Sequence, residues 1–220
     1  PYQPGDSYNR IHWPATARHG EPIVKQFELD PASDIWVVLD LQEAVHIGEG
    51  EDSTEEQAVS VAASICRYFI QQNRTVGLIS FGEDLRIDDP DRGQNHYTRM
   101  LESLALARAV GDVPLSNLVL EESRRFGRHT TVVVVTPSTE QRWALTLISL
   151  GTRGVKVSAV LLEANTFGPA PSPLDVYGTL ASGGVHTLTV KSSDDIGRVL
   201  SASVETDQAR DGAARAREGR

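Results

Sequence analysis

The sequence has a single cysteine, no long apolar run and no excess of basic charge. Cys66 is the only cysteine among 220 residues, which excludes a disulfide scaffold and a cysteine-rich zinc site. The longest aliphatic runs, such as 132–135, have the length of strands and fall far short of the ~20 residues that span a bilayer. The formal net charge of −9 argues against nucleic-acid binding, because that binding needs a basic surface.

The motifs of several enzyme classes are also missing. The chain has no GxGxxG or GxxxxGK[ST] phosphate loop, no GxSxG nucleophile elbow and no HExxH zinc motif. The 6 histidines are scattered, and none has a second ligand at helical spacing. We therefore expect no catalytic residue, no metal ligand and no bound cofactor.

Strand and helix patterns alternate from residue 34 onward. Continuous apolar or β-branched runs predict strands at 35–41, 75–81, 130–135, 155–162 and 185–190. Helix patterns fall between them: one that begins after Ser53 as its N-cap, and others at 97–109, 116–126, from the cap Ser138 to Gly151, at 174–182 and at 192–204. This order predicts an α/β fold, a doubly wound and mostly parallel sheet with helices on both faces.

Composition divides the chain into three parts. Residues 1–33 are rich in proline and bulky aromatics, and predict an extended, partly β extension. Residues 34–204 hold the α/β domain. Residues 205–220 balance arginine against acidic side chains and offer no aliphatic residue beyond alanine, so we expect a disordered tail.

The exit of the first buried strand carries a group of acidic residues. In an open α/β sheet, ligands bind outside the carboxyl ends of the strands. Asp40 closes the strand, and Glu43, Glu49, Glu51 and Asp52 follow before the next helix. Two readings stay open: a solvated loop leading to a helix N-terminus, which favours acids, or a docking surface for a basic partner.

This strand exit resembles that of the von Willebrand factor A (vWA) domain. In that family the exit reads DxSxS, and its Asp and two Ser help to hold a divalent cation together with a Thr and a second Asp from later loops. The matching positions here are Asp40, Gln42 and Ala44, and the exit matching the second Asp reads VTPS at 135–138. The loss of these oxygens predicts a degenerate site that holds no metal. The alternative role for Asp40 is that of a carboxylate that accepts backbone N–H bonds at a helix or loop N-terminus.

Residues 1–33 are similar to the opening pattern of the bacterial "domain of unknown function 58" (DUF58) family, roughly YxPGDxxRxIxWxxxAR. The similarity rests on Asp6 in a PGD triplet, on Arg10, Trp13 and Arg18, and allows a spacing shift of one residue. With the vWA-like remainder it covers residues 2–204. These four side chains form either a strap that packs on the domain or a platform for a partner or a membrane.

The DUF58 resemblance also implies a cellular setting. Members commonly carry hydrophobic membrane segments before this motif, and they are often encoded near MoxR-type AAA+ ATPases. We therefore expect a non-catalytic adaptor or assembly domain on the cytoplasmic side of the membrane, anchored by segments upstream of Pro1, with a MoxR-type ATPase as partner. Two alternatives stay open: a hydrolase or nucleotide-binding enzyme on a Rossmann-like sheet, and a structural subunit that self-associates through the extension.

Overall fold

Strands and helices alternate along the part of the chain that the structure, a computed structural model, describes, residues 34–197. The elements are β1 (Ile35–Leu39), α1 (Thr54–Gln71), β2 (Val76–Phe81), β3 (Leu85–Asp91), α2 (Gln94–Ala105), α3 (Leu115–Glu121), β4 (Thr131–Thr136), α4 (Gln141–Thr152), β5 (Lys156–Leu162), α5 (Leu174–Ser182) and β6 (His186–Val190). Short 3-10 turns lie at Glu43–Val45, Gly50–Asp52, Glu122–Arg125 and Ala164–Thr166.

The strands form one six-stranded sheet in the order β3-β2-β1-β4-β5-β6. Five strands are parallel, and β3 runs antiparallel to β2 at one edge. In the central strand, Val37 pairs with Leu78 of β2 and with Val133 of β4. The predicted α/β fold with a mostly parallel sheet is therefore confirmed.

Helices cover both faces of the sheet, so the central strand is buried along its whole length. Successive side chains of a strand point to opposite faces. Val37 and Leu39 accordingly pack in one core with α1 and α2, whereas Trp36 and Val38 pack in the other with α3, α4 and α5. The two cores explain why the β1 sequence is a continuous apolar run rather than an alternating one.

The edge strand β3 was not predicted from the sequence. Its residues, LRIDDPD, are exposed or half-buried and show no apolar pattern. Charged side chains and a proline at a sheet edge discourage pairing with another chain, and they also remove the hydrophobic signal of a strand. Next to it, α2 spans 94–105 rather than the predicted 97–109.

Of the two N-caps predicted from the sequence, Ser53 is confirmed and Ser138 is wrong. Ser53 is the N-cap of α1, and its hydroxyl accepts the N–H of Glu56 at 3.2 Å. The N-cap of α4 is Glu140, not Ser138, whose hydroxyl accepts the Glu140 N–H at 3.3 Å within the preceding turn. That helix also runs past Gly151 to Thr152. The predicted helix 116–126 changes to a 3-10 turn after Glu121.

Several predictions fall outside the described residues. They concern the extension 1–33 with Asp6, Arg10, Trp13 and Arg18, most of the helix expected at 192–204, and the tail 205–220. They stay predictions. Within 34–197, no helix is long and apolar enough to cross a membrane.

Candidate functional site

Asp40 follows β1 at the carboxyl edge of the sheet and is only 2% exposed. Its Oδ1 atom accepts the main-chain N–H of Gln42 at 3.1 Å, as the sequence predicted. Its Oδ2 atom accepts the Thr136 hydroxyl at 2.6 Å, from the exit of the neighbouring strand β4. Both carboxylate oxygens are thus used by donors of the protein itself.

Thr136 extends this contact into a chain of hydrogen bonds that joins β1 to the start of α4. The Thr136 side-chain oxygen accepts the N–H of Ser138 at 2.9 Å while its hydroxyl donates to Asp40. The carbonyl oxygen of Ser138 accepts the indole N–H of Trp143 at 3.2 Å. Thr136 lies in the strand exit 135–138 that was matched to the second Asp of the vWA site, and this exit contains no carboxylate.

The buried Asp40 carboxyl is electrostatically costly to ionise. Burial raises its pKa from 3.8 to about 6, although the hydrogen bonds from Thr136 and Gln42 lower it, and the nearby Glu140 carboxylate raises it further. No described residue forms a salt bridge with Asp40. Above pH 6 the fold therefore holds an ionised carboxylate that only hydrogen bonds stabilise.

The His46 side chain connects the loop after β1 to the first turn of α1 by hydrogen bonds. Its Nε2 lies 3.0 Å from the carbonyl oxygen of Asp40, and its Nδ1 lies 3.1 Å from the hydroxyl of Thr54. Burial lowers the pKa of His46 and favours the neutral ring. A neutral ring with its proton on Nε2 donates to the Asp40 carbonyl oxygen, and the Thr54 hydroxyl then has two acceptors in reach, Nδ1 of His46 and the Ile47 carbonyl oxygen at 3.2 Å. His46 therefore holds the loop after β1 against the first turn of α1.

Three loops meet backbone to backbone beside Asp40. Gln42 and Gly111 form an isolated parallel bridge, in which Gly111 N–H donates to Leu41 at 3.0 Å and Glu43 N–H donates to Gly111 at 2.8 Å. A Cβ atom at Gly111 would lie 3.0 Å from the carbonyl oxygen of Leu41 and would collide with that of Phe81. This contact therefore requires glycine and fixes the loops after β1, β2 and α2 together.

The acidic residues predicted as a docking surface are all exposed. Glu43 lies in the first 3-10 turn after β1, Glu51 and Asp52 lie in the second, and Glu49 stands just before it. The structure places them at the same edge as Asp40, although none hydrogen-bonds to it. Of the other positions matched to DxSxS, Gln42 reaches Asp40 through its main chain, and Ala44 is exposed.

Apolar side chains are also exposed at this edge, which sequence reasoning did not find. Leu106 and Val110, in the loop between α2 and α3, are 63% and 53% exposed. The acidic pair Glu83 and Asp84 lies close by, in the turn between β2 and β3. We call this exposed set, together with Glu43, Glu49, Glu51 and Asp52, the carboxyl-edge surface.

Comparison with known proteins places this architecture in a family. The family model "Protein of unknown function DUF58" matches residues 1–165. The chain belongs to the DUF58 family. The curated relatives include the uncharacterized protein YeaD of Bacillus subtilis (strain 168), which is 29% identical over 136 residues, 61% of this chain and 32% of that protein. An uncharacterized protein of Mycobacterium tuberculosis is 32% identical over 107 residues, 47% of this chain and 33% of that protein.

Solved structures show that this DUF58 chain has a vWA-like fold. Protein BatB from Bacteroides thetaiotaomicron is 14% identical with a TM-score of 0.58, over 80% of this chain and 98% of that one. Proximal thread matrix protein 1 from the mussel byssus, solved with a zinc-occupied MIDAS motif, is 13% identical with a TM-score of 0.54, over 78% of this chain and 47% of that one. An aerotolerance-related membrane protein from Bacteroides fragilis is 16% identical with a TM-score of 0.52, over 80% of this chain and 98% of that one.

The oxygen donors of the DUF58 site do not fit a divalent cation. Mg²⁺ requires near-octahedral oxygen ligands, several of which are usually carboxylates or waters. Here Asp40 already accepts two protein donors, the exit 135–138 supplies no carboxylate, and Ala44 has no side-chain oxygen. Within residues 34–197, no three His, Cys, Asp or Glu side chains come together as a metal site.

Millimolar Mg²⁺ or Mn²⁺ should therefore leave the melting temperature of the protein unchanged. A ligand at a hundredfold excess over its Kd would add ~2.7 kcal/mol to the free energy of unfolding, which thermal denaturation detects easily. A saturable increase in the melting temperature that disappears in Asp40→Ala would contradict this expectation.

Proposed function

We propose that this DUF58 domain works without catalysis, by binding a protein partner at the carboxyl-edge surface. The observation that carries the proposal is the hydrogen-bonded state of Asp40, whose carboxylate oxygens both accept protein donors at the position matched to the vWA cation site. A carboxylate that is 2% exposed and hydrogen-bonded at both oxygens serves the fold as an internal acceptor and is closed off from a substrate in solution. The surrounding surface is then left to recognise a partner by contact alone.

The composition of the carboxyl-edge surface supports a protein partner with basic side chains. Glu43, Glu49, Glu51 and Asp52 supply exposed negative charge, which speeds encounter with a basic surface. Leu106 and the neighbouring Val110 supply exposed apolar area, which is typical of the centre of protein interfaces. The bridge at Gly111 holds the loops that carry both groups, so binding needs little ordering of the main chain.

We further propose an adaptor or assembly role at the membrane of a bacterial cell, with a MoxR-type AAA+ ATPase as partner. The family resemblance supports this partner. One of the similar structures is described as an aerotolerance-related membrane protein, which supports the membrane setting. The chain spans about a third of the length of the curated relatives it matches, so the anchor is proposed to lie in segments outside this chain, upstream of Pro1.

Neutralising the acidic part of the surface should slow association with the partner. In the variant Glu49→Gln/Glu51→Gln/Asp52→Asn, the association rate at low salt should fall roughly tenfold, because electrostatic steering is lost, while the dissociation rate changes less. The same rate in the unaltered protein should fall as salt approaches physiological concentration, where exposed charges are screened beyond ~8 Å. Surface plasmon resonance against a MoxR-type ATPase at two salt concentrations measures both effects.

The matched control removes three exposed acidic side chains at other parts of the molecule. Asp89→Asn/Asp91→Asn/Glu121→Gln changes the net charge equally, and breaks only exposed ion pairs that add little stability. If both variants associate equally fast, the carboxyl-edge surface is not the docking site.

Turnover of a phosphate or acyl substrate by the isolated chain would favour the enzyme alternative. Concentration-dependent self-association that deletion of residues 1–33 abolishes would favour the structural subunit.

A further inference from the structure

The amino edge of the sheet, opposite the carboxyl-edge surface, carries a group of exposed basic side chains. Arg124 and Arg128 precede β4, and Arg153 and Lys156 lie at the junction of α4 and β5. Because β4 and β5 are parallel, both junctions lie at the same end of the sheet. We call these four residues the amino-edge cluster.

Contacts between the two junctions hold three members of the amino-edge cluster, Arg128, Arg153 and Lys156, close together. A Cβ atom at Gly154, between Arg153 and Lys156, would lie 3.5 Å from Cγ of Arg128, so the Arg128 stem packs against this turn. The N–H of Lys156 donates to the carbonyl oxygen of Thr130 at 2.9 Å. Gly154 has φ of +89°, a conformation that glycine adopts without strain, which fixes the turn.

The positive charge of the amino-edge cluster is not neutralised by an acidic side chain of the described residues. None of its four side chains forms a salt bridge with a described residue. Two acidic residues near this edge contact other arginines, since Asp91 lies 3.3 Å from Arg99 and Asp89 lies 3.2 Å from Arg125. The loops that carry the cluster therefore form a basic patch on a chain whose net charge is −9.

The chemistry of this surface fits phosphate groups better than a protein. Stable protein interfaces centre on apolar and aromatic anchors. The large hydrophobic residues that are exposed in the described part of the chain lie outside the loops of the cluster, and the nearest along the chain, Leu120, belongs to α3. A plane of lipid phosphates needs only cations, and each Lys or Arg near such a plane strengthens binding roughly fivefold.

The charge separation within the domain lets an acidic protein approach an anionic surface. The strand β4 has 6 residues and separates the two edges by about 20 Å. At physiological salt the Debye length is ~8 Å, so the acidic carboxyl edge is screened from a surface that touches the amino edge. Binding of this kind is weak by itself and mainly sets the orientation of a domain that is already anchored.

We propose that the amino edge of this domain rests on the anionic headgroups of a lipid bilayer, and that the carboxyl-edge surface then faces away from the membrane. The proposal rests on the membrane setting given under the proposed function, but it concerns a different surface from the one that binds the partner. In this orientation the acidic and apolar side chains of the carboxyl edge are accessible to a partner in solution.

Vesicle sedimentation of the full chain tests the proposal. At physiological salt, where the carboxyl edge is screened, the protein should partition at least tenfold more strongly into phosphatidylcholine vesicles that contain phosphatidylglycerol than into pure phosphatidylcholine vesicles. The variant Arg124→Gln/Arg128→Gln/Arg153→Gln/Lys156→Gln should lose this difference. Raising the salt concentration to several times the physiological value should also abolish it.

The control variant removes four basic side chains from the opposite edge, with the same change in net charge: Arg86→Gln/Arg108→Gln/Arg142→Gln/Lys191→Gln. It should keep most of the binding to anionic vesicles, and circular dichroism checks that both variants fold.

The proposal is overturned if the full chain does not prefer anionic vesicles, or if the two variants lose binding equally. It is also overturned if the cluster supports equal binding to duplex DNA, or mediates association of the chain with itself. Partner association measured in the absence of lipid is independent of these outcomes, so failure here leaves the docking proposal standing.

Discussion

Replacing Asp40 by asparagine should stabilise the protein at pH 8 by up to about 3 kcal/mol. The folded chain holds the proton of Asp40 with a pKa of about 6, above the value of 3.8 for an unburied carboxyl. Between these two values the folded state binds more protons than the unfolded state, so the free energy of unfolding falls as the pH rises. Asparagine resembles the protonated carboxyl and does not titrate. The free energy of unfolding of the variant therefore does not fall in this pH range on account of residue 40.

Urea denaturation from pH 3.5 to pH 8 measures the effect. The unaltered protein and Asp40→Asn should have equal free energies of unfolding near pH 3.5. The value for the unaltered protein should then fall below that of Asp40→Asn as the pH rises through 6. Asp40→Ala supplies the contrast, because it leaves the Thr136 hydroxyl and the Gln42 N–H without their acceptor, and should destabilise at every pH by ~2–4 kcal/mol. Equal pH profiles for the unaltered protein and Asp40→Asn would show that Asp40 does not titrate as proposed.

Replacing Trp143 by alanine should lower the free energy of unfolding by ~3–5 kcal/mol. The indole is 2% exposed and packs in the core formed by β4, β5 and α5 with Val134, Leu161 and Leu180. Truncation removes this apolar contact and leaves a cavity, and the Ser138 carbonyl also loses its N–H donor. Because Ser138 follows Thr136, the loss should extend to the hydrogen bonds of Asp40.

Trp143→Phe separates the two contributions. Phenylalanine keeps much of the apolar volume but has no N–H, so this variant should lose ~1–3 kcal/mol. Urea denaturation gives both free energies, and the chemical shift of the Thr136 methyl group reports on the turn. A loss below ~1 kcal/mol in Trp143→Ala would mean that the indole does not support the core in this way.

The two variants at Asp40 and Trp143 also bear on function. If Asp40→Asn is more stable and binds the partner unchanged, the negative charge at this position has no role in recognition. If it is more stable and binds less well, the chain retains a destabilising buried charge because the partner requires it. Either result separates the carboxylate from the exposed acids of the carboxyl-edge surface.

Local sequence determined the five parallel strands and the first helix cap. The run at β1 is apolar at every position because both of its faces are covered, and that signal needs no knowledge of its neighbours. Ser53 and Glu56 are three residues apart, so the cap is decided within one turn. The residues at the DxSxS positions also predict a degenerate site, because Ala44 offers no side-chain oxygen in any fold.

Tertiary structure decided the rest, because the deciding contacts join distant parts of the chain. Thr136 donates to Asp40 across 96 positions of sequence, and only the pairing of β1 with β4 brings their exits together. That pairing makes Thr136 the partner of the buried carboxylate, and the turn it fixes moves the N-cap of α4 from Ser138 to Glu140. A sequence also gives only a net charge. In a parallel sheet, the loops that follow the strands lie at the carboxyl edge and the loops that precede them lie at the amino edge. The fold therefore separates the acidic residues after β1 from the basic residues before β4 and β5.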